Sequence, residues 1–292
     1  MNILGNNMGD LKDVAVIIKT FNRPDKLELA LKSLVGKGFG EVIVADDGER
    51  SQRKLEVYEK FREKIPLKVL ELPYDSGLAF GRNEAVKASR SEYILVIDDD
   101  MTVNNVEILR EVLEQNRNLG GVSGCLIERA RFRCFPCNLD IRNGYLVKYD
   151  PPLEPRFSGG GVSYFHFDLI PNAAMFRREV FDDYSWDPHY KIGYEHLDFY
   201  LAHKKLEKWK FAVVPSVLFF HFPGGSRSYL SSYRFNKKRI RASYQYFLKK
   251  WGLKGVVSLN SGLAVPSFNR ILLVKLKQSL PLPLASMIEK LL

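Results

Sequence analysis

The chain is short of four things. It has only three cysteines, Cys125, Cys134 and Cys137, too few for a fold built on disulfides. It has no uninterrupted apolar run of about 18 residues, so no segment is expected to span a bilayer. Its N-terminus also lacks the apolar stretch of a secretory signal. Acids nearly vanish from the last third: residues 201–292 hold 17 Lys and Arg against two Asp or Glu, whereas residues 1–200 hold 27 against 32. The net charge of +10 is therefore a first part at −5 followed by a tail at +15. These deficits predict a cytoplasmic protein, with a seat on the inner membrane face as a further expectation, whose basicity belongs to one segment that needs an anionic partner or abundant water.

What is present reads as an ordinary folded chain. At 292 residues, 46% apolar and 27% charged, with no low-complexity tract or repeat, it suits one large α/β domain or two closely joined units. "DVAVIIKTFNRPDKLELALKSLV" gives a buried strand over Val14 to Ile18, a turn at Asn22-Arg23-Pro24 and an amphipathic helix. The runs Val42 to Ala45, "LKVLEL" and "EYILVI" are further strands separated by helical patterns, one of them starting near Leu78 after a glycine-bearing loop. This alternation predicts an α/β fold with a mostly parallel central sheet flanked by helices. From about residue 126 to 165 the pattern breaks into aromatics, arginines, "SGGG" and a possible hairpin at "GYLVKY", before strands resume in "LIPNAAMFRREVF" and "VVPSVLFFHF".

Several strands end in polar groups. Asp98, Asp99 and Asp100 close one strand and Asp46-Asp47-Gly48 another; adjacent carboxylates repel, so a positive charge is expected beside them. Two such tips in one crevice can hold Mg²⁺ or Mn²⁺, which favour hard oxygen ligands; the plainer reading of each is a solvated turn. Arg82 fits either a phosphate or a structural pairing with a nearby acid. His221 fits either an edge-of-core imidazole or a Mn²⁺ ligand. Glu195, followed by His196 and Asp198, is either an acid favoured by a helix N-terminus or a general base. Cys134 and Cys137 in "RCFPC" resemble half a zinc site but are better read as plain loop cysteines.

Taken in order, "VIIKTFNRPDKLELALKSL", "EVIVADDGE", "SGLAFGRNEAVKASRSEYILVIDDDM", "PNAAMFRREVF", "GYEHLDF" and "LFFHF" resemble glycosyltransferase family 2, with its A-type nucleotide-diphospho-sugar fold, over roughly residues 12–225. The resemblance implies a metal-dependent, inverting transfer of sugar from a nucleotide-diphosphate donor, expected to be a UDP-sugar, to a glycan or lipid-linked acceptor. It places Thr20 and Arg23 at the nucleotide, Asp46 at the base with Asp47 beside it, Arg82 near the diphosphate, and Gly77, Asp98 and Asp99 on the donor side. Asp100 and His221, with Asp98, would hold Mn²⁺ or Mg²⁺, and Glu195 or Asp198 would be the base. "GYEHLDF" has His196 where the family commonly has an acid, a form similar to the β-1,4-N-acetylgalactosaminyltransferase branch, which would suit a UDP-N-acetylhexosamine.

The expected organisation is a catalytic domain over 1–225, made of a nucleotide-sugar half (1–125) and an acceptor and catalytic half (126–225), followed by a basic helical extension over 226–292. Basic and aromatic residues interleave over 233–251, which fits a helix on an anionic membrane surface or one packed against the domain with a solvated outer side. A nucleotidyltransferase acting on a sugar phosphate is the rival enzyme class, and it wants a glycine-rich, lysine-bearing loop where "KTFNRPDKL" stands. Nucleic acid is not an expected partner, because the sheet-tip acids make a negative crevice.

Overall fold

The computed structural model describes residues 11–129, 131–261 and 268–291. The first half alternates as expected: β1 (Val14–Thr20), α1 (Pro24–Leu34), β2 (Glu41–Asp46), α2 (Gln52–Arg62), β3 (Leu67–Glu71), α3 (Leu78–Ala88) and β4 (Tyr93–Asp98). A two-residue strand β5 (Met101–Thr102) and α4 (Glu107–Gln115) follow. Next come β6 (Leu119–Glu128), β7 (Arg131–Arg133), β8 (Asn138–Arg142), β9 (Tyr145–Tyr149), β10 (Arg156–Phe157), β11 (Ser163–Phe167) and β12 (Ala174–Arg177). The rest is α5 (Glu179–Asp183), α6 (Glu195–Leu206), β13 (Lys210–His221), a short turn α7 (Arg227–Tyr229) running into a π-helical turn (Leu230–Arg234), α8 (Lys237–Trp251), β14 (Gly255–Ser258), α9 (Phe268–Gln278) and α10 (Leu282–Leu291).

The main sheet runs β10-β11-β13-β6-β12-β4-β1-β2-β3. Its β3, β2, β1 and β4 are parallel, but β12 lies antiparallel between β4 and β6, and β11 is antiparallel to β13. The sheet is thus mixed, which corrects the expectation of a mostly parallel one. A strand buried on both faces gives the same apolar run whichever way it points, and direction is set by connections made elsewhere.

Period-two alternation divides β1 between two cores. Val14, Val16 and Ile18 face the helices α1, α2 and α4; Ala15 and Ile17 face α3 and α6. Pro24 opens α1 at its first turn, where its missing N–H costs nothing. In β13 the register slips between Val213 and Leu218, around Pro215, which has no N–H for the ladder. The hairpin read in "GYLVKY" forms between β8 and β9, its turn at Asn143 and Gly144, both with positive φ.

The basic segment is bound into this body. Phe247 of α8, with Leu253 and Val256 beyond it, belongs to the core beneath α6, and β14 pairs in parallel with β9. Tyr244, Tyr246 and Trp251 pack against the same core. The aromatics of 233–251 that suggested a membrane face therefore mostly point inward, because they and α6 need each other to be covered. The three cysteines are free and buried.

Candidate functional site

The carboxyl ends of β1, β2 and β4 lie side by side, with Thr20 opposite Asp46 and Lys19 opposite Asp98. Beyond them opens a cleft of about 410 Å³ whose walls include Asp47, Gly77, Asp98, Asp100, Glu128 and His221. Such a crevice is where ligands of open α/β sheets collect.

The three adjacent acids are offset by two arginines, Arg82 for Asp98 and Arg23 shared by Asp99 and Asp100. Asp98 accepts from Arg82 Nη2 at 2.7 Å. Asp99 is buried and accepts from Thr20 Oγ1 at 2.7 Å and from the Arg23 guanidinium. Asp100 accepts from Arg23 Nη1 at 2.7 Å. Arg23 thus bridges two neighbouring carboxylates, supplying the positive charge their repulsion calls for. Burial pushes Asp99 up to about 6 against the pull of Arg23. For Asp100 burial acts in the same direction, but hydrogen bonds and charge from His221 and Arg23 outweigh it and hold the carboxyl below its usual value.

His221 arrives from the far side of the sheet. The β13–β5 pairing puts it opposite Met101, and Phe222 N donates to Asp100 O at 2.8 Å. Its Nε2 lies 3.4 Å from Asp100 Oδ1, while Nδ1 is 2.9 Å from Glu128 Oε2. Burial lowers the imidazole pKa, yet the two carboxylates raise it overall. Glu128 was not singled out in the sequence; it faces His221 only through the parallel β6–β13 register.

Could this corner hold a divalent ion? Among the described residues no three His, Cys, Asp or Glu side chains form a group able to hold one alone. Asp100 and His221 do form a two-ligand edge, with the other His221 nitrogen fixed by Glu128 as an orienting partner would fix it. An imidazole and a carboxylate suit Mn²⁺. Ions of this kind take several positions from substrate phosphates and water, so the donor set fits an ion shared with a bound diphosphate.

Around the donor side, Asp47 is held by Lys19 and accepts from Gly77 N at 2.9 Å. Gly77 has φ +102°, and a Cβ there would lie 2.7 Å from Lys191 Cα, so this loop needs glycine. Asp46 is brought to the same edge but faces α2: Lys54 Nζ and Gly48 N bond its Oδ1, and Tyr58 bonds its Oδ2. Arg82 is also buried under the cleft, leaving Nε and Nη1 without partners and its guanidinium over Trp186. Asp46 and Arg82 are therefore placed as supports of the wall, one step behind the surface.

Two left-handed residues, Gly193 and Tyr194, turn the chain into α6. They set Glu195 at its first position, buried, with Oε2 lacking a partner. Burial raises its carboxyl above the usual value. Asp198 differs: both oxygens are filled, by Tyr184 (2.5 Å), Tyr190 (3.2 Å), Trp251 Nε1 (2.8 Å) and Lys250 Nζ (3.0 Å). His196 is pushed down to about 4 by burial, and its Nε2 lies 2.8 Å from Ile170 O, so the neutral ring donates there.

The basic segment closes one side of the cleft. Arg239 grips Asp75 with two bonds of 2.8 and 2.7 Å, and the Tyr233 ring sits 4.6 Å from that of Phe21. Arg129 and Arg234 also line the cleft; neither stood out individually, because only the fold brings the β6–β7 turn and the residue-234 turn to the same mouth.

Comparison with known proteins finds relatives of this chain and of its fold. A mouse protein, "Beta-1,4 N-acetylgalactosaminyltransferase 2", is 35% identical over 107 residues, covering 35% of this chain and 19% of its own. The Staphylococcus aureus "Poly(ribitol-phosphate) beta-N-acetylglucosaminyltransferase TarS" is 36% identical over 95 residues, covering 31% of this chain and 16% of its own. The chain thus spans less than a fifth of either relative. Among solved structures, S. aureus TarS 1-349 in complex with UDP-GlcNAc matches with a TM-score of 0.56 at 17% identity, over 80% of this chain and 66% of that one. GalNAc-T7 with UDP, GalNAc and Mn²⁺ matches with a TM-score of 0.55 at 16% identity, over 82% and 49%. The model of "Glycosyl transferase family 2" matches residues 15–185, and the chain belongs to that family.

Proposed function

We propose that this chain transfers a sugar, with inversion, from a UDP-sugar to a hydroxyl of a glycan or lipid-linked saccharide. The observation that carries the reading is the convergence of Asp98, Asp100 and His221 on one cleft beyond the carboxyl ends of β1 and β4. An N-acetylhexosamine donor is favoured by the names of the mouse and staphylococcal relatives. The nucleoside would lie against Thr20, Arg23 and Asp47, with Asp98 toward the ribose.

Asp100 and His221 would hold Mn²⁺ or Mg²⁺, which when bound offsets the charge that builds on the leaving diphosphate. Glu195 is the favoured base: it is a carboxyl whose ordinary value burial has raised, with a free oxygen, at the turn beside the cleft. It would take the acceptor hydroxyl's proton as that oxygen attacks the anomeric carbon from the face opposite the diphosphate. Asp198 is a weaker candidate because both its lone-pair sets are occupied by four donors. Arg82 would act from behind, holding Asp98.

The test is a panel of UDP-, GDP- and dTDP-sugars with and without Mn²⁺, read by thermal protection and by nucleoside diphosphate release. Metal-dependent protection by one UDP-sugar, with UDP released, is the expected result. Protection by a nucleoside triphosphate with pyrophosphate release would instead make the chain a nucleotidyltransferase.

A further inference from the structure

The C-terminal helices carry a surface that the catalytic reading does not use. In α9 the side chains of Phe268, Ile271, Leu272 and Leu276 are exposed, Phe268 to 76% and Leu272 to 57%. Their spacing is that of one helical stripe. In α10, Leu284 and Met287 are exposed, Met287 to 59%. The opposite faces are what hold the pair to the body: Val274 and Lys277 of α9 and Ala285 and Ser286 of α10 are buried. Exposed apolar side chains of this size gathered on one helix face mark an interaction surface more often than chance exposure.

The charge around the stripe decides the partner. Past Glu207 the chain has fifteen Lys and Arg and one acid, Glu289. That acid is consumed within the hairpin, 2.8 Å from the Lys277 ammonium. Lys275 is exposed between the apolar residues of α9. On α8, which leads into β14 beneath α10, Lys237, Lys238, Arg241 and Lys249 are exposed as well. A second copy of this chain would bring the same cationic rim against it, and like charges across an isologous contact are unfavourable. Neither helix is long and apolar enough to cross a membrane.

We propose that the outer face of α9 and α10 lies in the plane of an anionic lipid surface, with Phe268, Leu272, Leu276 and Met287 below the headgroups and Lys275 at their level. The contact moves from 233–251, whose aromatics other than Phe235 pack against the body, to α9 and α10. The inference stands independently of the sugar-transfer reading, since it uses none of the cleft residues.

The experiment uses the full chain and vesicles of phosphatidylcholine containing about a third phosphatidylglycerol, at about 0.15 M salt. Co-sedimentation with these vesicles, little with phosphatidylcholine alone, and a blue shift of the added emission in a Phe268→Trp variant are expected. The paired change Leu272→Glu and Leu276→Glu should lower partitioning about a hundredfold or more, and Lys275→Glu about fivefold or more. Both sets alter exposed positions and should melt as the parent does, so that loss of binding is not loss of fold. No partitioning of the parent, or partitioning indifferent to the leucine changes, would overturn the proposal. So would vesicle-free self-association that the same leucine changes abolish, which would assign the face to a second copy.

Discussion

Lys250 of α8 lies 3.0 Å from the buried Asp198 carboxylate of α6, tying the basic tail to the helix that begins with the candidate base. Trp251, Tyr184 and Tyr190 complete a cage of donors around the same acid. On the proposal made above Asp198 is a brace, and its loss should be felt as instability.

Asp198→Ala would leave the Tyr190 hydroxyl and Trp251 Nε1 without their acceptor, while Lys250 keeps Asp187 at 2.6 Å, and is expected to cost about 1–3 kcal/mol for each buried donor left over. Chemical denaturation reads this directly. The milder Asp198→Asn should retain measurable turnover once folded; a folded Asn variant with no turnover would return the base role to Asp198.

Glu195→Gln should separate stability from activity. A carboxyl whose folded pKa is raised binds more protons in the folded than in the unfolded state, so its contribution to stability falls as pH rises past the unfolded value of about 4.3. Removing the charge is therefore expected to raise the melting temperature at pH 7 while turnover falls about 10²–10⁴-fold. In the parent, turnover should decline on acidification at a pH above the ordinary carboxylate range, as Glu195 is protonated.

The proposed metal corner makes its own demand. Asp100→Asn and His221→Ala should each abolish the extra thermal protection that Mn²⁺ adds to a bound UDP-sugar, and lower turnover at least about tenfold. Glu128→Gln, which leaves both proposed ligands but loosens the imidazole, should have a smaller effect of the same kind. Mn²⁺ protection undiminished in His221→Ala would remove His221 from the site.

Asp75 and Arg239 fasten the tail over the cleft mouth. Burial works against the Asp75 charge, but the Arg239 hydrogen bonds and charge hold its carboxyl below the usual value. A depressed carboxyl contributes stability that is present above the unfolded value of about 3.9 and lost as pH falls through the lower folded one. Arg239→Ala should thus narrow the difference in stability between pH 6 and pH 3, and raise KM for the donor more than it lowers kcat, since the segment lining the cleft comes loose.

Much of the site could be read in the chain. Strand ends are legible because a buried strand must stop where its polar residues begin, so Asp46, Asp98 and Asp100 announced one edge of the sheet. Glu195 was visible as the acid opening a helix. The strand directions were not, since β12 reads alike in either orientation. Glu128 stayed hidden because its value lies in a cross-strand register with His221, 93 residues away.

By itself the sequence determined the alternation of strands and helices, the family to which it belongs and the separation of negative body from positive tail, because these are written in local periodicity, ordered motifs and simple charge. Only the tertiary structure decided which carboxylates stay open to the cleft and which are filled by donors, as Asp46 and Asp198 are. It also turned the aromatics of α8 inward and left Phe268 and the leucines of α9 facing out. The physical reason is that a carboxylate's or an aromatic ring's behaviour depends on what surrounds it, and those neighbours come from segments far apart in the chain.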